Sequence, residues 1–262
     1  MTGFAAAART ELLKARRSRV PWLVAAGFSI APIVAALFML ILKDPDAARR
    51  LGILGTKAAI TAGTADWPTM LSMLAQAVAI GGGVLLAFLT SWVFGREFSD
   101  RTLRGLLATP TSRAAIVVAK AVVIVGIGGI TIAWVILLGF VAGAVVGLPG
   151  WSAPDARTAV ARMAGAGLLT LALQPVTALV ASAGRGYLAG LGWAVLTVAA
   201  SQILAVLGLG VAFPWAVPAL VAGAGGTDLS DVPGASVVLV VATGLAGLLA
   251  TIWWWRRADH SG

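Results

Sequence analysis

The stretch "FGREFSDRTLRGLLATPTSR", residues 94–113, separates two long apolar runs, 70–94 and 115–148. A connector between apolar helices can be a few glycines or serines, yet this one gathers charge, a capping residue, leucines and a proline. Ser99 can accept hydrogen bonds from free backbone N–H groups, and Asp100 suits the positive end of a helix dipole, so a short helix is predicted over 100–108. In it Leu103, Leu106 and Leu107 share a face by i, i+3, i+4 spacing, while Arg101 and Arg104 project elsewhere. Pro110 stops the helix, and Thr111 or Ser112 can cap the next one. Glu97 lies four residues before Arg101, within ion-pair reach if the backbone there stays helical. The arginines alone would suit an ordinary inner loop whose leucines rest on lipid. The whole pattern, a capped and stopped amphipathic peg, suits a docking point for a partner protein.

The surroundings place this peg in a membrane protein. Of 262 residues, 60% are hydrophobic and 11% charged, too little polar surface to cover a soluble globule of this size. A hydrocarbon core of about 30 Å needs about 20 apolar residues in a helix, and six stretches qualify: 21–42, 70–94, 115–148, 158–183, 187–212 and 236–255. The fold class is therefore all-α with six transmembrane helices. The fourth stretch carries Arg162 near its start and Pro175 in its middle, and neighbouring helices can satisfy the backbone groups that a proline frees. The first run is too long for a signal-peptide core and reads as a retained anchor. With no Cys and a single His, His260, there is no plausible thiol, imidazole or soft-metal site.

Orientation follows from the basic residues. Of 19 Lys and Arg, one side holds Arg9, Lys14, Arg16, Arg17, Arg19, Arg96, Arg101, Arg104, Arg113, Lys120, Arg185, Arg256 and Arg257. The other side keeps only Lys43, Arg49, Arg50, Lys57, Arg157 and Arg162. Both termini and the quoted loop are thus expected in the cytoplasm, and the positive net charge needs no nucleic-acid partner.

The domain plan has an interfacial arm at 1–20, a six-helix domain at 21–255 with the loop at about 95–113, and a tail at 256–262. Phe4, Leu12 and Leu13 among the arm's cations suit a helix lying along the inner headgroups. The stretch "FPWAVPALVAGAGG", 213–226, is apolar but short and broken by prolines and glycines, so it is expected to dip into the outer leaflet without crossing. Gly139, Gly143 and Gly147 recur every four residues and invite close helix packing. Lys120 is expected to snorkel to the headgroups, and Trp253, Trp254 and Trp255 to form an interfacial anchor. Among the few polar residues inside spans, Gln76, Gln174 and Gln202, with Pro175 as a kink, are candidates for facing a pathway, although such residues more often make interhelical hydrogen bonds.

No G-x-x-x-x-G-K-[ST] motif occurs, and no Asp or Glu lies inside a run, which argues against nucleotide hydrolysis or other catalysis in this chain. The lack of intramembrane acids also counts against an ion-coupled secondary transporter. A non-transporting immunity or scaffold protein that binds a partner is a third reading.

The acidic residue after the second run, followed by "RTLRGLLATPTSRAAIVVAK" (101–120), resembles the loop of ABC-2 type permeases, the membrane subunits of type V ABC exporters. The arm "ELLKARRSRVPWL" (11–23) is similar to that family's connecting helix. The resemblance implies a permease subunit in the cytoplasmic (inner) membrane that exports an amphipathic or lipid-like substrate such as a peptide, antibiotic or lipid intermediate. It implies a coupling helix at 100–108 that contacts a separate ATPase, with Glu97 near its hinge. It also implies pairing with a second permease, identical or related, and no cofactor in this chain, ATP and Mg being bound by the ATPase. The very short "GRG" connection at 184–186 departs from the pattern and leaves little room for a second strong ATPase contact.

Overall fold

The computed structural model describes residues 2–45, 63–102, 105 and 110–257. Among them, six helices are long and apolar enough to cross a membrane: Val20–Lys43, Trp67–Ser99, Arg113–Val146, Ala153–Ala183, Tyr187–Val206 and Gly234–Arg257. Each overlaps one of the six expected runs. We label the arm Thr2–Arg17 α1, and the first three spans α2, α3 and α4. The fourth span is broken into α5 (Ala153–Ala172) and α6 (Gln174–Ala183). The fifth is α7, the short helix Val217–Val221 is α8, and the last span is α9. The described residues contain no strand.

The second span is the hub. It packs on α2, α4, α5, α6 and α7, and 56% of its apolar window is buried, against 22% for α7. At 33 residues it extends about 50 Å, well beyond a hydrocarbon core, so its last turns project past the apolar slab. The 34-residue α4 does the same. Large apolar side chains such as Trp22, Ile33, Leu188 and Val206 face outward, as lipid contact requires.

The arm, the described ends of the 100–112 loop and the end of α9 lie at one end of the bundle. Gly3 approaches Thr111, and the Arg113 guanidinium donates to the carbonyls of Trp255 (3.0 Å) and Arg256 (3.2 Å). A cation on the last free carbonyls of a helix is favoured by the helix dipole. At the far end, the Lys43 ammonium does the same for α4 through the carbonyls of Val146 and Gly147.

Helix ends account for two departures from the sequence reading. The fifth run stops at Val206 instead of 212, because Gly208 takes a left-handed φ of +75° and Leu209 N–H returns to the Leu204 carbonyl. Gly147 likewise closes α4, at φ +66°, with Leu148 N–H bonded to the Gly143 carbonyl, so it belongs to a helix end and not to a packing face. Gly139 and Gly143 are packing positions, but what enters their notches is side chain. A Cβ there would come within 2.5 Å of Leu74 and Trp67 respectively.

Pro175 breaks the fourth span as its chemistry demands, with Leu173 as the turn between α5 and α6. The last span is shaped to fit the break. Gly244 packs directly on the Ala172 carbonyl, Gly247 on Pro175 and Val176, and the Thr251 hydroxyl donates to the Pro175 carbonyl at 3.1 Å. After α7 the chain folds back: the rings of Trp215 and Trp193, the latter in the second turn of α7, lie 5.4 Å apart edge to face. α8 packs against α5 and α3.

The tryptophans near the C-terminus do not form a common anchor. Trp253 is 55% exposed under Arg257, but Trp255 is fully buried. Its indole N–H donates to the Ser182 hydroxyl at 3.0 Å, and its ring meets Phe94 and Phe98 edge to face. An indole is buried this way when its N–H finds a partner.

Candidate functional site

The arm turns one face inward. Glu11 and Ala15 are buried on it, with Lys14 beside them one helical turn from Glu11, while Phe4, Leu12 and Leu13 stay exposed. On α3 the inward face continues past the apolar run through Val93 and Phe94 to Glu97, which is 1% exposed. On α4, Lys120 follows Ile116, Val117 and Ala119 into the core and is fully buried. Three elements thus deliver four charges to one place.

The four close into a ring of alternating sign. The Lys14 ammonium lies 2.7 Å from one Glu11 oxygen and 2.8 Å from Glu97 Oε1. The Lys120 ammonium lies 2.9 Å from the other Glu11 oxygen and 3.0 Å from Glu97 Oε1. Its third proton goes to the Val93 carbonyl at 3.0 Å, so all three ammonium donors have acceptors. Partial burial would by itself lower the Lys14 pKa, but the hydrogen bonds and charges of Glu11 and Glu97 raise it above the ordinary lysine value. The ring carries no net charge, the condition under which buried ions are tolerated.

This corrects three expectations. Lys120 does not snorkel, because two buried carboxylates offer it partners that headgroup water would otherwise replace. Glu97 does not pair with Arg101: the helix ends at Ser99, Arg101 takes a left-handed φ of +56°, and helical i, i+4 spacing is lost. The pair formed there is Arg96 with Asp100, at 3.9 Å. Nor does Ser99 cap a helix starting at Asp100, since Ser99 is the last residue of α3 and Asp100 its C-terminal flank. Leu103, Arg104, Leu106 and Leu107 lie outside the described residues, and with them most of the expected peg.

What is described of the loop is tied down at both ends. At its start the Thr102 hydroxyl donates to Glu97 Oε2 at 2.6 Å, and Thr102 N–H donates to the Glu97 carbonyl. At its end Ser112 caps α4, accepting from Ala115 N–H at 3.2 Å, and Arg113 holds the end of α9. The 184–186 turn rests on the same part of α3: a Cβ at Gly95 would lie 2.8 Å from the backbone of Gly186 and Tyr187, which only glycine permits.

A second polar region lies in the middle of the bundle. The Thr90 hydroxyl donates to the Gln174 amide oxygen at 3.1 Å, and the Gln174 amide N–H donates to the Thr170 carbonyl at 3.0 Å. Gln174 and Gln202 line one cavity of about 360 Å³ between α3, α5–α6, α7 and the folded-back segment. Pro175 lines a much smaller crevice beside it. Gln76 stands apart from both, its amide donating to Ser72 at 3.4 Å. Sequence reasoning missed the ring because Glu11, Lys14 and Lys120 each read as ordinary interfacial charges. The one available signal was that an acid and a base sit one turn apart on an arm next to a lone acid at a span end.

A comparison with curated proteins finds no match. A family model for the ABC-2 family transporter proteins matches residues 7–201, a range that takes in the arm, the loop and the whole ring. Over most of its length, from within the arm to within the fifth span, the chain is a member of the ABC-2 transporter family.

Proposed function

We propose that the chain is the permease subunit of an ATP-driven exporter and that the ring of Glu11, Lys14, Glu97 and Lys120 carries motion from the 100–112 loop into the membrane helices. The observation behind this is the direct attachment of that loop, through Thr102, to a charge that is itself shared by the arm, α3 and α4. A push on the loop displaces Glu97, and Glu97 cannot move without either breaking its buried pair with Lys120 and its partly buried pair with Lys14 or taking α1 and α4 with it. Buried ion pairs are costly to break, about 3–5 kcal/mol when one partner is lost, so concerted motion is favoured.

In this reading the loop end of the bundle faces the cytoplasm of a cell with this protein in its inner membrane, as the basic residues at that end favour. A separate ATPase binds ATP and Mg and docks on the leucines of the loop. A second permease, identical or related, completes the path, and the cargo is amphipathic or lipid-like. The test is a pair of variants expressed with the partner ATPase. Leu106→Asp should abolish co-purification, because the new charge would be desolvated without a partner. Glu97→Gln should keep co-purification but uncouple ATP hydrolysis from export. Export and co-purification at the unsubstituted level in both variants would refute the assignment.

A further inference from the structure

Pro175 leaves more than a bend. In lipid the backbone groups around a proline must be met by neighbouring helices, and here one helix does most of that work. Gly244 packs on the Ala172 carbonyl, Gly247 receives Val176, and the Thr251 hydroxyl donates to the Pro175 carbonyl. At the inner end the Trp255 indole N–H donates to the Ser182 hydroxyl. α9 packs on α6 more extensively than on any other helix. The two are joined from the break to the last turn and form one body.

That body is held at both ends. Its inner end is tied to the loop's exit, because Arg113, the first residue of α4, donates to the Trp255 and Arg256 carbonyls. Its other end is the break, where Gln174 opens α6. The Gln174 amide oxygen accepts from Thr90 on α3, and its amide N–H donates to the Thr170 carbonyl on α5. A single side chain thus joins the body to the two elements it would turn against. Space lies on both sides of this point, since Gln174 lines the 360 Å³ cavity and also the smaller crevice. Farther along α6, Thr177 shares the cavity wall with the hydroxyls of Thr170, Thr197 and Ser201, while Ala178 lines the crevice. A helix pair joined along its length, broken from its neighbour at a proline and bordered by open space has the parts of a hinge.

We propose that α6 and α9 move as one lever about Leu173–Pro175, with Arg113 coupling its inner end to the loop and Gln174 as the pin that sets its angle. Arg113 and Gln174 are positioning residues in this scheme. Displacing the start of α4 pulls on the last carbonyls of α9. The lever tilts, the Gln174–Thr90 bond opens, and Thr177 carries one side of the cavity wall with it. The ring acts on α1, α3 and α4, so the lever is a second route, through helices that supply no ring charge. The proposal rests on the reading of the loop as the part that receives motion, but the lever itself is a property of this chain alone.

The test therefore uses the full chain in lipid nanodiscs, without ATPase or nucleotide. No native Cys interferes with spin labelling. Leu168→Cys with Ala183→Cys places labels across the break, and Ala183→Cys with Leu245→Cys places them within the lever, all at exposed positions. Pulsed electron resonance measures both distances. Arg113→Ala, Gln174→Leu and Thr90→Val should each populate a second distance across the break, displaced by about 2 Å or more, and leave the distance within the lever unchanged. Thr90→Val opens the same bond as Gln174→Leu from the α3 side, so failure of one variant to fold leaves the other decisive. Arg113→Lys, which keeps a cation for the same carbonyls, should restore the single distance. Arg257→Ala removes a cation that stacks on Trp253 at the same helix end, leaves the Arg113 bonds in place, and should change neither distance. An unshifted distance across the break in Arg113→Ala, or in both Gln174→Leu and Thr90→Val, would overturn the proposal. So would an equal change within the lever, or the same shift in Arg257→Ala. None of these outcomes depends on whether an ATPase docks, and co-purification with Leu106→Asp says nothing about the lever.

Discussion

The charge ring at the loop end and the hydroxyl wall in mid-bundle are both buried polar regions, built by opposite means. The ring concentrates four full charges within hydrogen-bond distance and satisfies every ammonium proton on Lys120. The wall spreads neutral groups around an open space, and three of its hydroxyls, those of Thr170, Thr197 and Ser201, donate within their own helices. The ring couples elements far apart in sequence, whereas most wall hydrogen bonds tie a residue only to the turn before it. The ring therefore links elements that the wall leaves independent.

The sharpest way to break this contrast is to remove one ring charge. Lys120→Met leaves Glu11 and Glu97 facing each other with Lys14 alone between them, and should destabilise the protein by about 3–5 kcal/mol in thermal unfolding in detergent. Adding Glu97→Gln restores neutrality and should recover a large part of that loss. Simple additivity of the two variants would show that the four groups do not act as a ring.

A second measure is pH. Because the Lys14 pKa is raised, its contribution is fully present below the ordinary lysine value of 10.5 and disappears as pH rises through the higher folded value. Protease protection of the arm should hold from neutral pH to about pH 10 and fall only above the ordinary lysine range. Release of the arm near pH 8 would contradict the ring geometry.

The mid-bundle should respond more weakly. Gln174→Leu removes one interhelical bond, to Thr90, and should cost about 0.6–2 kcal/mol, since such bonds are worth little more than that in lipid. Gln76→Ala loses only a long 3.4 Å contact to Ser72 and should be neutral within about 0.5 kcal/mol. If Gln174→Leu proved as damaging as Lys120→Met, the distinction between the two regions would collapse.

The spans were legible in the sequence because hydrophobic length is a local property, and each apolar run became one span. The proline break was legible too, as was Ser112 as a cap. What could not be read was which charge is buried. Lys120 and Arg113 look alike in sequence, each a cation at the start of the same run. Only the assembled bundle shows that one faces two carboxylates and the other the carbonyls of the last span. Trp255 against Trp253 is the same case, two neighbours on one helix turned to opposite fates by what lies behind them. The Glu97–Arg101 pairing failed at a single backbone torsion, which residue types in that loop do not announce.

The ring also sets an order of events during synthesis. Glu11 and Lys14 leave the ribosome with the arm, but Lys120 follows 109 residues after Glu11, behind two whole spans. Until the third span has been inserted, Glu11 has no ring partner but Lys14, and the helix on which the arm chiefly packs is missing. Arm docking therefore reports that the first three spans have entered the bilayer in register. A chain that inserted the third span backwards would leave Lys120 at the wrong surface and its arm loose, a state that quality-control proteases could recognise before the remaining spans are made.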